Sequence, residues 1–338
     1  MPWCSGLADH QGRCMDDMLL IHHFAESAYS QIHGPDQVLW LDKIALEQDN
    51  LRAALEFCLV IKNPQVSIPI LTVLYWLWFL RGNYSELFYW FGEIESLMVG
   101  NHRSVEFAQL LILNANLKLL AGEHDQARNL LKKSLDIGSK LGKTGDIVVA
   151  DALSLLSLMI ATINGQVTKA NFLVEQCLDL HRKIADRHGM AMDLLVLGCI
   201  ASQGGQNAHA IALAQQSQEI FQQSGDLWGK GRSLRFLGQL FLGLGDINNA
   251  LRCFNQQLDT DIKLGFLKGQ VTALSNLNNL YRLKGELGQA ELLRGKYLLT
   301  SREYENKAGS SKLIPGTLPL FCGLISPSSH ADQLSGGT

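Results

Sequence analysis

Leu234 to Gly265 reads LRFLGQLFLGLGDINNALRCFNQQLDTDIKLG, and this stretch decides the fold. Leu234, Leu237, Phe241 and Leu244 recur at helical spacing and form one apolar stripe. Gly245-Asp246 then breaks the helix. The glycine is able to take the left-handed C-terminal conformation, and the aspartate caps the next helix by accepting backbone N–H bonds. That helix carries Ile247, Ala250, Leu251, Phe254, Leu258 and Ile262 and ends at Gly265. Ala250 is small where the two helices approach closely, so a larger side chain there would push them apart. The stretch is an antiparallel helix pair.

The same punctuation recurs in both directions. Gly82, Gly122, Gly165, Gly205, Gly245 and Gly285 are spaced by 40 or 43 residues. Five residues after each of the last five glycines stands an alanine: Ala127, Ala170, Ala210, Ala250 and Ala290, with Leu87 at that place in the first unit. A third series marks the far end of the units: Leu141-Gly142, Ile184-Ala185, Ser224-Gly225 and Leu264-Gly265. A single pair cannot cover its own apolar face, so such pairs stack. The expectation is an all-α, right-handed superhelical solenoid of antiparallel helix pairs with a period near 40 residues.

Leu237-Gly238, Phe241, Gly245, Ala250 and Phe254, with Leu197-Gly198, Gly205 and Ala210 in the unit before, resemble the tetratricopeptide family. The family period is about 34; the extra residues here are expected in longer helices and inter-unit loops. The resemblance covers roughly Ile68 to Tyr304. It implies repeats over 67–305, preceded by an N-terminal helical segment over 1–33 and a helical linker over 34–66. Residues 306–338, rich in Gly, Ser and Pro, read as a flexible tail, whose apolar patch Leu318 to Ile325 either docks on the last pair or is part of the disorder.

Gly34 to Val60 reads GPDQVLWLDKIALEQDNLRAALEFCLV, with Pro35 placed for a helix N-terminus and an apolar pattern of Leu39, Leu41, Ile44, Leu46, Leu51, Ala54, Leu55 and Cys58. Trp40-Leu41-Asp42 followed by Glu47 to Leu55 is similar to a stretch in bacterial signal-transduction ATPase regulators, where a switch ATPase precedes it and tetratricopeptide repeats follow. Many of those proteins carry a LuxR-type or other winged-helix DNA-binding domain. The resemblance implies that this chain is the sensor or partner-binding arm of a transcriptional regulator. It departs from them in showing neither an ATPase nor a DNA-binding motif. The nearest approach to a phosphate loop, Gly138-Ser-Lys-Leu-Gly142-Lys143-Thr144, has three residues between its glycines where four are needed and follows a helix, so it reads as an inter-unit turn.

Composition narrows the function. Net charge is −3, which argues against a nucleic-acid or anionic-membrane surface. Seven scattered cysteines do not make a disulfide framework, no signal peptide is visible, and the richest apolar stretch, Ile68 to Leu80, is too short to span a bilayer. These points favour the cytoplasm. No nucleophile-and-base set stands out, so binding is expected rather than catalysis, with no cofactor. His22, His23 and Glu26 sit one turn apart but lack further converging ligands, and Cys4, His10 and Cys14 match no zinc spacing, so no metal is expected. His181, Arg182, Lys183, Asp186, Arg187 and His188 crowd a helix end and read as a solvated terminus.

The family resemblance implies that the first helix of each pair lines a concave groove. Positions ten, six and three before the turn glycine make that groove aromatic and apolar near Trp76, with Asn116 beside it, and polar and basic towards the C-terminus. The apolar end is either a ligand pocket or a face covered by Gly34 to Val60 or by another domain. At the basic end Arg232, Arg235, Gln239, Asn276 and Asn279 are expected to converge, with Arg282 nearby, on an acidic or C-terminal-carboxylate peptide segment. Partners are therefore a protein or peptide segment, or a small inducer, without direct contact to nucleic acid or membrane. The alternative is a structural adaptor that joins two proteins without signalling.

Overall fold

The computed structural model describes residues 9–97 and 104–308. Among these residues it contains fifteen α-helices and one short 3-10 turn, and no strand. Three helices precede the repeats: α1 (Asp9–Gln31), α2 (Gln37–Leu46) and α3 (Gln48–Val60). Six antiparallel pairs follow. They are α4 (Pro64–Arg81) with α5 (Tyr84–Leu97), α6 (Val105–Leu120) with α7 (His124–Lys140), α8 (Asp146–Asn164) with α9 (Val167–Lys183), α10 (Arg187–Gln203) with α11 (Asn207–Ser224), α12 (Leu227–Gly243) with α13 (Ile247–Leu264), and α14 (Leu267–Leu283) with α15 (Leu287–Ala308). The fold is the expected all-α solenoid of stacked helix pairs.

The turns form for the reason the glycines suggested. Gly82, Gly122, Gly165, Gly205, Gly245 and Gly285 all have φ between 65 and 84°. This lets the next residue's N–H reach back five residues: Asp246 N donates to Phe241 O at 2.9 Å, and Gln206 N to Ala201 O at the same distance. Asp246 then caps α13, its Oδ1 accepting from Asn249 N at 3.1 Å. The alanines five residues on are buried throughout. The extra length relative to the family goes into the helices, which run to 17 or 18 residues in α10 to α13. It does not go into loops, for only Gly225 and Asp226 separate α11 from α12.

A further 40-residue series holds consecutive pairs together. Gly189, Gly229 and Gly269, near the starts of α10, α12 and α14, each leave a notch filled by a side chain from the end of the preceding helix: His181, Phe221 and Asp261 respectively. A Cβ on any of the three glycines would overlap the side chain that fills its notch. This is close packing obtained by deleting a methyl group.

Before the repeats, α2 and α3 bury Leu41, Ile44, Leu51, Ala54, Leu55 and Cys58, whereas Leu39 and Leu46 of the same sequence pattern are exposed. The pattern reads as continuous, but the chain turns at Glu47 between two helices, and that reorients the face. The stretch Gly142–Asn164 is long and apolar enough to cross a membrane. It is longer than the apolar stretch Ile68 to Leu80, and here α8 packs among α6, α7, α9 and α10 in the middle of the stack. At the far end α15 continues through Tyr304 to Ala308, which is buried. Cys4, Cys322 and the patch Leu318 to Ile325 lie outside the described residues.

The stack closes on itself. Helix α4 meets α14, and α5 meets α15. Phe79 stacks on Phe266 with ring centroids 5.7 Å apart, Trp76 meets Trp228 edge-on at 4.9 Å, and Tyr84 meets Tyr304 at 6.1 Å. The aromatic N-terminal end of the groove is thus covered by the chain's own C-terminal repeats and by His33, whose ring sits 4.6 Å from Trp76.

Candidate functional site

Closure converts the concave face into a cavity of about 300 Å³. First helices supply most of its wall, as the family resemblance implied: Thr72, Trp76 and Phe79 from α4, Ile112 and Asn116 from α6, Asp151, Ser154 and Leu155 from α8, Met192 and Asp193 from α10, Trp228, Arg232 and Arg235 from α12, and Phe266 and Lys268 at the start of α14. Tyr29 and His33 reach in from the N-terminal segment. Of the eight residues expected to bind a ligand, Trp76, Asn116, Arg232 and Arg235 line this cavity. Gln239, Asn276, Asn279 and Arg282 do not line it, and Asn279 and Arg282 are exposed. The five-residue convergence at the basic end therefore divides, because the Phe79–Phe266 contact closes the cavity at the start of α14.

The two arginines are held differently. Arg232 lies over the Trp228 ring, 4.4 Å from its centroid. Arg235 is buried, and its Nε has no hydrogen-bond partner among the described residues. The nearby Asp261 carboxyl is raised to about 7 by burial, with the hydrogen bond from Gln257 and the charge of Arg235 opposing that rise. Arg235 thus adds a buried cationic donor to a wall that Trp228 and Phe266 share with Arg232 and Lys268.

The acidic side of the cavity centres on two histidines that read in the sequence as part of a solvated helix end. That reading is overturned. His181 is 1% exposed, with Nδ1 2.7 Å from Asp193 Oδ2 and Nε2 3.3 Å from Asp151 Oδ1. Burial alone would lower its pKa, but the close carboxylates of Asp151 and Asp193 outweigh this and raise it to about 10. His188 Nδ1 lies 2.9 Å from Asp226 Oδ2, and His33 Nδ1 lies 3.4 Å from the same oxygen. Burial works against the Asp226 carboxylate, yet its two histidine neighbours hold it well below the usual range. Arg182 does keep to the surface, paired with Asp179 at 3.1 Å. Sequence reading missed the buried set because the partners come from other repeats.

Gln37 ties the pre-repeat segment to this wall. It is buried, and its Oε1 accepts from Leu227 N at 3.0 Å and Trp228 N at 3.3 Å, capping α12 from 190 residues away. Its Nε2 donates to Ile32 O at 2.6 Å. Asp226 caps the same helix from within, accepting from Gly229 N at 3.0 Å.

No protein-family model and no curated protein matches the sequence. Among solved structures the chain is similar to a signal transduction ATPase with numerous domains, carrying a tetratricopeptide repeat sensor, from Pyrococcus horikoshii. The identity is 14% and the TM-score 0.51, over 96% of this chain and 50% of that one. It also aligns with BtubC from P. vanneervenii at 18% identity and TM-score 0.49, over 59% of this chain and 81% of that one. Aspartyl phosphate phosphatase F from Bacillus subtilis aligns at 14% identity and TM-score 0.47, over 92% and 98% respectively. The chain is a tetratricopeptide-type repeat solenoid. Its fold resembles that of the Pyrococcus ATPase, of whose length it spans half.

Proposed function

We propose that this chain is a sensor arm whose concave cavity binds a small molecule or the carboxylate end of a peptide and reports it to a switch module of a bacterial transcriptional regulator. The observation that carries the reading is the cavity itself, bounded on one side by contacts between the first and last repeats, so that whatever fills it bears on the closure of the solenoid. A volume of about 300 Å³ is at the small end of ligand pockets, which suits a metabolite or a terminal residue or two better than an extended peptide. Arg235 and Arg232 supply forked donors for a carboxylate, and the aromatic wall supplies apolar contact. The route outward runs through Trp228 and Asp226 to Gln37, at the head of the segment resembling the linker that follows a switch ATPase. Fold likeness to a protein described as carrying a repeat sensor supports the same reading.

The test is a thermal-shift screen of the full chain against amino acids, dipeptides and small organic acids, alongside Arg235→Met and the cavity-filling Ile112→Trp. Hits that raise the melting midpoint of the wild type and lose that effect in both variants are expected. Hits that both variants retain would place the ligand elsewhere and overturn the reading.

A further inference from the structure

We propose that His33, His188 and Asp226 form a binding site for a single divalent transition-metal ion of the zinc class, set in the cavity wall. The three residues come from separate parts of the chain: the turn after α1, the start of α10, and the N-cap of α12. One ligand atom from each lies within 4.8 Å of the others. Two edges of the set, His188 Nδ1 to Asp226 Oδ2 at 2.9 Å and His33 Nδ1 to the same oxygen at 3.4 Å, bracket the roughly 3.3 Å edge of a tetrahedron with zinc–ligand bonds near 2.0 Å.

Three features distinguish this set from an ordinary buried ion pair. His33 Nδ1 is buried 3.4 Å from the carboxylate oxygen, yet makes no hydrogen bond of good geometry to it or to any other described residue. The His33 and His188 rings lie tilted by 43° with centroids 4.2 Å apart, where two imidazolium charges repel but two neutral imidazoles suit one cation. Asp226 Oδ1 is already engaged by Gly229 N at 3.0 Å and Gln37 Nε2 at 3.4 Å, which orients Oδ2 towards the histidines as an outer shell orients a ligand. Metal binding displaces the proton held between His188 Nδ1 and Asp226 Oδ2, and the carboxylate of Asp186 lines the same cavity. Both histidines also line the cavity, so the fourth coordination position opens into it. A metal here staples the N-terminal segment to the fourth and fifth helix pairs, whatever else the cavity holds.

The test uses the full chain with cobalt and zinc ions alone. One equivalent of Co²⁺ is expected to give a visible d–d band of tetrahedral type, which Zn²⁺ removes in competition. His33→Ala and His188→Asn should each weaken Zn²⁺ binding by at least the ~10–100-fold that loss of an outer-shell partner costs. Zn²⁺ should raise the melting midpoint of the wild type and not that of His33→Ala, a change at a half-buried side chain in a turn, which keeps the proposal testable if His188→Asn misfolds. The His22→Ala, His23→Ala double variant removes the exposed competing pair beside Glu26 and should leave binding unchanged. Absence of stoichiometric binding, binding that survives in His33→Ala with His188→Asn, or binding lost with His22 and His23 overturns the proposal.

Discussion

Phe221 and His181 occupy the same point of consecutive repeats, each filling the notch left by a glycine eight residues on, yet they fill it with opposite chemistry. Around Phe221 the setting is uncharged apart from the edge of the His188 ring at 5.6 Å, and the matching buried position on the facing helix is Ser233, whose Oγ donates to Gly229 O at 3.1 Å. Around His181 that position is Asp193, fully buried, and two further carboxylates, Asp151 and Asp186, approach the ring. The backbone is the same in both places, so stacking the repeats does not require the charge. All three carboxylates line the cavity. A repeat that departs from its neighbour's apolar solution while keeping its geometry marks where the solenoid serves something besides its own stability.

The comparison is most directly broken by making the first region copy the second. His181→Phe leaves Asp193 buried without its charged partner and should cost about 3–5 kcal/mol in urea denaturation. His181→Phe with Asp193→Ser reproduces the Phe221–Ser233 pair and should recover most of that loss. A single variant as stable as the wild type would mean that the ion pair is idle.

The notch itself is tested by Gly229→Ala. The added methyl falls inside the Phe221 ring, against a helix start fixed by two caps, so overpacking should cost about 1–3 kcal/mol. Adding Phe221→Leu should return part of it. An unchanged denaturation midpoint for Gly229→Ala would show that the glycine is not a packing requirement.

Asp261 fills the third notch, and here pH is the probe. Its carboxyl is raised from the ordinary value of 3.8 to about 7, chiefly by burial, with Gln257 and Arg235 opposing. Between those two values the folded protein holds a proton that the unfolded chain has released. This contribution to stability is therefore present in full below about pH 4 and is lost as pH rises through 7. Asp261→Asn removes that loss. It should stabilise by about 1–2 kcal/mol at pH 8, with little change at pH 4, read from melting midpoints at both. A gain of equal size at both pH values would assign the effect to packing instead of charge.

How much of this was legible in the sequence follows from how local each cause is. A glycine at φ 76° or an alanine between touching helices is dictated by its immediate surroundings, so Gly245 and Ala250 announced themselves and their 40-residue copies confirmed the phase. The notch glycines, Gly189, Gly229 and Gly269, form an equally regular series that went unread. The cavity was half legible. Trp76, Asn116, Arg232 and Arg235 followed from helical register, but a period says what neighbours what and not how many units bring the first repeat round to the last. His188 meets Asp226 across 38 residues, and Gln37 caps α12 across 190, distances over which no local pattern carries information. A buried aspartate in register with Ser233 and Ala273 was the one available signal at His181.

The smallest expected effect concerns how the His181 helix ends. Gly225 and Gly265 close α11 and α13 with φ of 75 and 64°, but at the same place after α9 stands Ala185, with φ of 56°. An alanine in that conformation carries a cost of about 1–2 kcal/mol, because its Cβ crowds the following carbonyl. The side chain is exposed, so its removal forfeits no packing. Ala185→Gly relieves the strain and loosens the unfolded chain by about 0.4–1 kcal/mol, leaving a net gain of roughly 0.5–1 kcal/mol. That gain should appear as a slightly higher melting midpoint. The turn also sets Asp186, whose N–H donates to His181 O at 3.0 Å and whose carboxylate approaches the His181 ring. If the variant gains nothing or loses stability, the alanine is holding Asp186 against the imidazole, and the strain at this turn belongs to the charged notch and has no counterpart at Phe221.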